Sequence, residues 1–169
     1  MKKIIFAALG LLCLASCAKQ PCCQLEHPCY SYDATIYELN TRQLTPEGTF
    51  KAAEAVLPEL KELGVDIIWI MPIQKIGELE RKGTLGSYYA ITDYCQFNPE
   101  FGTRADFEHF LAEAHKLGLK VILDWVANHT APDSEWTKND GWHYRDSLGN
   151  LMVQYDWTDI SKLNYDNQE

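Results

Sequence analysis

Asp124 and His129 are the first candidate functional residues, because both follow the apolar run Val121-Ile122-Leu123. A carboxylate at the end of a strand can serve in acid–base or nucleophilic catalysis. A neutral imidazole can donate one hydrogen bond and accept another. Asp124 and His129 are therefore candidates for catalysis or for ligand binding. The alternative for His129 is a structural histidine whose hydrogen bonds are satisfied inside the fold.

Three apolar runs are predicted to form the strands that position these residues. They are residues 35–39, 65–71 and 120–124. The second run, Val-Asp-Ile-Ile-Trp-Ile-Met, is almost continuously apolar, which is typical of a strand buried on both faces of a parallel sheet. Asp124 and the residues after it are then expected at the carboxyl end of the third strand.

The segments between these strands are predicted to contain helices. Thr49 is a good N-cap for the first helix, in which apolar residues recur at helical spacing. Pro58 is expected to kink or restart this helix, because proline has no backbone N–H. The second helix begins after Thr103, with Asp106 in place of the Glu of a capping box, and ends at Gly118. A loop of about twenty residues is expected between the second strand and this helix.

The order strand–helix–strand–helix–strand predicts an α/β fold with parallel neighbouring strands, because crossover connections are right-handed. No glycine-rich turn follows the first strand, and long polar loops follow the other two, so a barrel is favoured over a doubly wound sheet. The predicted fold is the N-terminal part, about three β/α units, of a TIM (β/α)8 barrel. Residues 131–169 are rich in Trp, Tyr, Asp and Asn, and are predicted to begin an inserted loop domain after strand 3.

The composition excludes several classes of protein. Of all residues, 46% are hydrophobic, 12% aromatic and 23% charged, which excludes a disordered tail, a collagen-like repeat and a multi-pass membrane protein. Lys and Arg total 15 against 24 Asp and Glu, a net charge of −9, so nucleic acid is not an expected partner. The six cysteines include no C-x-x-C pair, which argues against a zinc ribbon or a thioredoxin-like site.

Residues 1–16 are predicted to be a signal peptide, with two lysines before a short apolar run. The sequence Leu14-Ala15-Ser16-Cys17 resembles the lipobox of bacterial lipoproteins, which implies cleavage before Cys17 and its lipidation. Residues 17–31 would then be a lipid-anchored tether, and the membrane a partner through Cys17. The expected location is the bacterial cell envelope, in the outer membrane and facing the periplasm or the surface. An ordinary secreted protein is the alternative.

Several segments in chain order resemble the α-amylase family of glycoside hydrolases. They are residues 37–40 (YELN), 66–73 (DIIWIMPI), 86–94 (GSYYAITDY), 98–103 (NPEFGT) and 124–130 (DWVANHT). The last is similar to the first sequence signature of the family, and residues 86–94 to its second-loop segment. The resemblance runs from about residue 32 to the C-terminus. It implies that residues 32–130 supply three strands and two helices of a catalytic barrel.

The resemblance also implies roles for individual side chains. His129 would hold the glucosyl unit at the cleaved bond, and Tyr89 would stack on the same ring, because a pyranose has an apolar C–H face. Tyr88 competes with Tyr89 for this role, and a core tyrosine is a further alternative. Asp124 would brace an arginine beside the nucleophile, a supporting role and not a catalytic one. Asp93 is assigned to bracing the active-site loop.

A calcium ion is a further implication of the resemblance, because Asn128 matches a position that often ligates Ca²⁺. Calcium takes six to eight oxygen ligands. Carboxylates that could join Asn128 are those of Asp133, Asp140, Asp146 and Asp156. Solvated aspartates in a polar loop are the alternative.

No catalytic residue is expected within the chain. A retaining glycosidase needs two carboxyl groups about 5–5.5 Å apart, and in the family the nucleophilic Asp, the acid/base Glu and a third Asp lie on later strands. Glu78 and Glu80 are not expected to substitute, because they fall in a polar loop. We therefore expect an N-terminal fragment, itself inactive, of a retaining α-glucan hydrolase.

Two other functions remain open from the sequence. The first is a membrane-tethered α-glucan-binding lipoprotein without catalysis, which would keep the sugar contacts of Tyr89 and His129. The second is an unrelated β/α lipoprotein with a fortuitous motif. The substrate expected for the enzyme is an α-1,4-linked glucan such as starch, glycogen or a maltooligosaccharide.

Overall fold

The computed structural model describes residues 27–168. The predicted signal peptide 1–16, Cys17 and most of the predicted tether therefore lie outside the described residues. The chain divides into two compact units, one up to Asp33 and one from Ala34 onwards. In the described part of the first unit, Cys29–Ser31 form one turn of 3-10 helix with no buried side chain.

A three-stranded parallel sheet lies at the centre of the second unit. Its strands are β1 (Ile36–Leu39), β2 (Ile67–Ile70) and β5 (Lys120–Leu123). β2 is the middle strand, and its Ile70 pairs with Leu39 on one side and Leu123 on the other. The three strands thus end level, and the residues after them share one edge of the sheet. The predicted parallel arrangement is confirmed.

Helices begin after Thr49 and Thr103, as the sequence predicts, and one further short helix after β1 was not predicted. They are α1 (Thr41–Leu44), α2 (Phe50–Glu54), α3 (Leu57–Glu62) and α4 (Arg104–Lys116). The Thr49 hydroxyl accepts a hydrogen bond from the Ala52 N–H, and Thr103 with Asp106 makes both hydrogen bonds of a capping box. Pro58 lies in the first turn of α3, where its missing N–H costs little. The predicted interruption of the first helix at Pro58 is therefore confirmed.

The segment after β2, predicted as a loop of about twenty residues, includes regular secondary structure. It contains an antiparallel pair, β3 (Gln74–Ile76) and β4 (Ile91–Phe97). The prediction missed β3 because a three-residue strand is too short to show an alternating pattern. The register of the pair is also irregular between Gln74 and Ile76.

The chain leaves the parallel sheet after β5 and later returns to pair with the residues that follow β5. β6 (His129–Thr130) pairs antiparallel with β7 (Ser161–Lys162), and Glu135–Lys138 form a 3-10 turn between them. We call residues 131–160 the inserted segment. The predicted boundary of an inserted domain at residue 131 stays a prediction.

The core lies between the sheet and the helices. Phe50 is fully buried, and its ring makes edge contacts with Phe97, Phe101 and Phe107. At the sheet margins Ile36 of β1 is 54% exposed and Ile122 of β5 is 45% exposed, because neither strand has an outer neighbour among the described residues.

None of the helices within residues 27–168 has the length and apolar character needed to cross a membrane.

Candidate functional site

The candidate site lies at the carboxyl edge of the parallel sheet. The Asp124 N–H donates to the Ile70 carbonyl at 2.9 Å, and the Met71 N–H donates to the Leu39 carbonyl at 3.0 Å. These bonds extend the ladder by one residue beyond β2 and β5. The backbone of Asp124 is therefore fixed by the sheet. Its side chain lies at the edge where β/α folds place their functional groups.

Tyr89 and Asp124 are joined directly. The Tyr89 hydroxyl donates to Asp124 Oδ2 at 2.9 Å. Burial raises the pKa of Tyr89 to about 12, and the hydrogen bond to Asp124 and its negative charge add to the effect. Tyr89 is therefore a neutral hydrogen-bond donor throughout the neutral range. The bond ties the loop before β4 to the end of β5.

Tyr88 is held differently, which separates the two tyrosines that the sequence could not distinguish. Its hydroxyl accepts a hydrogen bond from Asn40 Nδ2 at 2.9 Å. The guanidinium of Arg42 lies 5.1 Å from the centre of its ring, within the range of a cation–π contact. Arg42 also donates to the Gly86 carbonyl and pairs with Glu100. Tyr88 thus helps to fasten the loop, and its neighbour Tyr89 faces the pocket.

His129 completes the group and is only 8% exposed. Asn128 Nδ2 donates to its Nδ1 at 3.0 Å, so Nε2 carries the proton and donates to the Tyr89 carbonyl at 3.2 Å. Burial lowers the pKa of His129, and the hydrogen bond to Tyr89 and the charge of Asp159 oppose this only in part. The imidazole is therefore neutral near pH 7.

Tyr89 and His129 line one pocket of about 580 Å³. This volume is within the range of about 300–1,000 Å³ that is usual for small-molecule sites. The inserted segment contributes Trp157 and Asp159 to the same pocket, and the loop before β4 contributes Lys82. The structure thus brings together the two predicted sugar-binding residues, with Asp124 behind Tyr89.

The sequence analysis missed the side chains that brace this arrangement. The Tyr94 hydroxyl lies 2.7 Å from the carbonyls of both Val126 and His129, so it holds the turn after β5. Lys82 Nζ lies 3.4 Å from Asp159 Oδ1 and donates to the Asp156 carbonyl at 3.1 Å. No local pattern could have paired Lys82 with Asp159. Tyr94 was part of a recognised segment, but its spacing gave no signal for a bracing role.

Asp93 does not lie with the other predicted site residues. It belongs to β4, where Oδ1 accepts from the Cys95 N–H at 2.8 Å and Oδ2 accepts from Gln96 Nε2 at 2.7 Å. It lines a different pocket, together with Lys75 and Asp133. Its carboxylate bonds to residues that follow it in β4, and the role of Asp93 in bracing the active-site loop stays a prediction.

The residues around Asn128 do not assemble a calcium site in the described part of the chain. Its amide N–H groups face His129 and Gln154 Oε1. Within residues 27–168 no group of three or more His, Cys, Asp or Glu side chains could hold a metal ion. Asp133 instead accepts from the N–H groups of Glu78 and Leu79, and Asp146 from those of Leu148 and Asn150. Calcium at Asn128 stays a prediction that these residues alone do not fit.

Comparison with known proteins places the site in a family context. The family model described as "Alpha amylase, catalytic domain" matches residues 33–159. The crystal structure of an α-amylase from Lactobacillus plantarum has 47% sequence identity and a TM-score of 0.77, over 79% of this chain and 32% of that chain. A maltogenic α-amylase from Thermotoga neapolitana has 37% identity and a TM-score of 0.73, over 80% of this chain and 33% of that one.

Sequence comparison also finds similarity to an α-amylase. An α-amylase of Haloarcula japonica is 30% identical over 154 residues, which are 82% of this chain and 22% of that protein. The chain thus spans about a fifth to a third of the length of these relatives.

Substitution of Asp124 tests the hydrogen bond between the Tyr89 hydroxyl and the Asp124 carboxylate. In the full-length protein, Asp124→Asn should lower the pKa of Tyr89 by on the order of one unit, because the neutral amide removes the charge that favours the protonated phenol. NMR of isotope-labelled tyrosine rings measures this pKa, with Tyr89→Phe used to assign the signal. Because folding raises the pKa of Tyr89, its contribution to stability is present below about pH 10 and is lost towards pH 12.

The matched control is Asp93→Asn, which also removes one carboxylate from a neighbouring segment. It should leave the pKa of Tyr89 unchanged, since Asp93 bonds to its own strand. Equal effects of the two substitutions, or no effect of Asp124→Asn, would contradict the pairing of Tyr89 with Asp124.

Proposed function

Because the chain belongs to the α-amylase family of glycoside hydrolases, we propose that the whole protein hydrolyses α-1,4-glucosidic bonds of α-glucans with retention. The observation that carries this proposal is the meeting of Tyr89 and His129 at one pocket on the carboxyl edge of the sheet, with Asp124 bonded to the Tyr89 hydroxyl. Starch, glycogen and maltooligosaccharides are the substrates proposed.

Tyr89 is proposed as the platform for one glucosyl ring. Its hydroxyl is fixed by Asp124, so the ring has one orientation in the pocket wall before the substrate arrives. A pyranose presents an apolar face of C–H groups, and a flat aromatic ring is a complementary surface for it. Preorganisation of this kind reduces the entropy lost on binding.

His129 is proposed to bind a hydroxyl of the same glucosyl unit. Its neutral imidazole carries the proton on Nε2, which donates to the Tyr89 carbonyl at 3.2 Å. The hydrogen bond that Nδ1 accepts from Asn128 is shorter, at 3.0 Å. A sugar hydroxyl can compete for, or share, this N–H. A charged imidazolium would be less suited, because burial disfavours the charge.

The reacting carboxylates are proposed to come from other parts of the whole protein. Retention requires a nucleophile and an acid/base about 5–5.5 Å apart. Of the described carboxylates near the pocket, Asp124 is bonded to Tyr89 and Asp159 is paired with Lys82. Asp124 therefore supports the site by holding Tyr89. Its second oxygen is available for the arginine that the family resemblance places beside the nucleophile.

Hydrolysis of maltotriose by the full-length protein tests this function. Tyr89→Ala should lower kcat/KM about a hundredfold, because the loss of roughly 100 Å² of apolar contact costs about 2.5 kcal/mol. Tyr89→Phe keeps the ring and loses only the bond to Asp124, so its loss should stay within about tenfold. Tyr32→Ala, which removes an exposed tyrosine of the first unit, should have wild-type activity.

Two results would contradict the proposal. Full activity of Tyr89→Ala would exclude Tyr89 as the platform. Binding of maltotriose by the wild type without any hydrolysis would favour the glycan-binding lipoprotein instead.

We also propose that Cys17 anchors the protein in a bacterial cell envelope. The support is the sequence Leu14-Ala15-Ser16-Cys17 after a short apolar run with two N-terminal lysines. More than one acyl chain at a single anchor gives lasting membrane attachment. Expressed in a bacterium, the wild type should partition into the detergent phase, and Cys17→Ser should not. Cys95→Ser is the control and should behave as the wild type; detergent partitioning of Cys17→Ser would refute lipidation at this residue.

A further inference from the structure

We propose that Arg42 is a positioning residue for the glucosyl ring, because it fixes the backbone of the pocket wall that carries Tyr89. Arg42 lies in α1, directly after β1, and this wall is part of the loop before β4. The inference rests on the proposed function, since its ligand is the glucosyl unit that Tyr89 and His129 receive. It gives a role in sugar binding to a cation that lies outside the pocket.

The guanidinium of Arg42 binds two carbonyl groups of the loop. Its Nη1 donates to the Gly86 carbonyl at 2.9 Å, and its Nη2 donates to the Leu85 carbonyl at 3.3 Å. Gly86 is among the residues that line the pocket, and Arg42 is not. The same Nη2 lies 3.1 Å from Glu100 Oε2, so this carboxylate orients the planar group towards the loop. Arg42 thus acts on the pocket from behind its wall.

Two aromatic rings hold the guanidinium in this place. Its central carbon lies 5.1 Å from the centre of the Tyr88 ring and 6.0 Å from that of Phe101, and the Arg42 side chain is only 15% exposed. Partial exclusion of water strengthens the cation–π contacts and the hydrogen bonds beside them. A lysine would supply the charge, but its compact ammonium lacks the planar fork that donates to two carbonyls while it stacks on a ring. The contacts therefore specify arginine.

The loop carries this constraint from Gly86 to Tyr89. Gly86 has a φ of +70°, which favours glycine, and a Cβ at this position would lie 2.8 Å from Arg81 Cγ. The backbone at Gly86 is therefore confined by two arginines, Arg42 and Arg81. The next residue, Ser87, accepts a hydrogen bond through Oγ from the Tyr89 N–H at 3.2 Å. The position of the Tyr89 backbone thus depends on the guanidinium of Arg42.

Inhibition of maltotriose hydrolysis by glucose, measured with the full-length protein, tests the proposal. In Arg42→Ala the inhibition constant of glucose should rise about tenfold, because the Tyr89 ring is no longer held in its binding orientation before glucose arrives. Arg42→Lys should show most of this rise, because the charge is kept but the planar fork is lost. The matched control is Arg104→Ala, which removes another arginine paired with a glutamate, on the surface of α4. It should bind glucose as the wild type does.

Two further measurements separate positioning from a general loss of stability. Guanidinium added at millimolar concentration should restore much of the glucose affinity of Arg42→Ala, because it can occupy the place of the missing side chain, and ammonium at the same ionic strength should not. The pKa of Tyr89, about 12 in the wild type, should fall towards its ordinary value in Arg42→Ala. A loosened loop weakens the hydrogen bond from Tyr89 to Asp124, which favours the protonated phenol. NMR of labelled tyrosine rings measures this pKa.

Each outcome has a defined meaning. Wild-type values of both the glucose inhibition constant and the pKa of Tyr89 in Arg42→Ala overturn the proposal. A change in only one of the two also overturns it, because both follow from the same loop, and so does an effect of guanidinium no greater than that of ammonium. If Arg42→Ala does not fold, Arg42→Lys decides by the same two readings. A wild type that neither cleaves maltotriose nor binds glucose contradicts the proposed function instead, and the pKa of Tyr89 still reports whether Arg42 holds the loop.

Discussion

The hydrogen bond between the Tyr89 hydroxyl and the Asp124 carboxylate is the contact on which the site depends. Asp124 is fixed by the sheet, because its backbone N–H extends the ladder between β5 and β2. Tyr89 belongs to the loop before β4, where its backbone N–H donates to Ser87 Oγ. This hydrogen bond fixes the Tyr89 side chain relative to the sheet. The Tyr89 carbonyl in turn accepts a hydrogen bond from the Nε2–H of His129. Sheet, loop and imidazole are thus linked in one chain of hydrogen bonds.

The inserted segment turns this edge of the sheet into a pocket. Its two ends are held together by the pairing of β6 with β7, and its interior is tied back at two points. Asn128 holds Gln154, and Lys82 holds Asp159. Both contacts lie beside His129 or the loop of Tyr89, so the wall that carries Trp157 is positioned by the residues that form the opposite wall. The inserted segment therefore supplies one wall of the pocket.

Local chemistry explains which features could be predicted from the sequence. The caps at Thr49 and Thr103 and the interruption at Pro58 depend on residues within one turn, and the parallel strands follow from continuous apolar runs. The choice between Tyr88 and Tyr89 depends instead on Asn40, Arg42 and Asp124, which are distant in sequence. The pairing of Lys82 with Asp159 could not be predicted either, because these two residues are also distant in sequence. The bonds of Asp93 to Cys95 and Gln96 of its own strand also had no sequence signal that separates them from a loop brace.

The central claim is that Tyr89 and His129 form the wall that receives a glucosyl ring. A crystal structure of the full-length protein with glucose bound tests it most directly. The account predicts the pyranose packed on the exposed face of the Tyr89 ring, with a hydroxyl within hydrogen-bond distance of His129 Nε2 and the bond from Tyr89 to Asp124 intact. Glucose bound elsewhere in the protein, with Tyr89 turned away from the pocket, would contradict it.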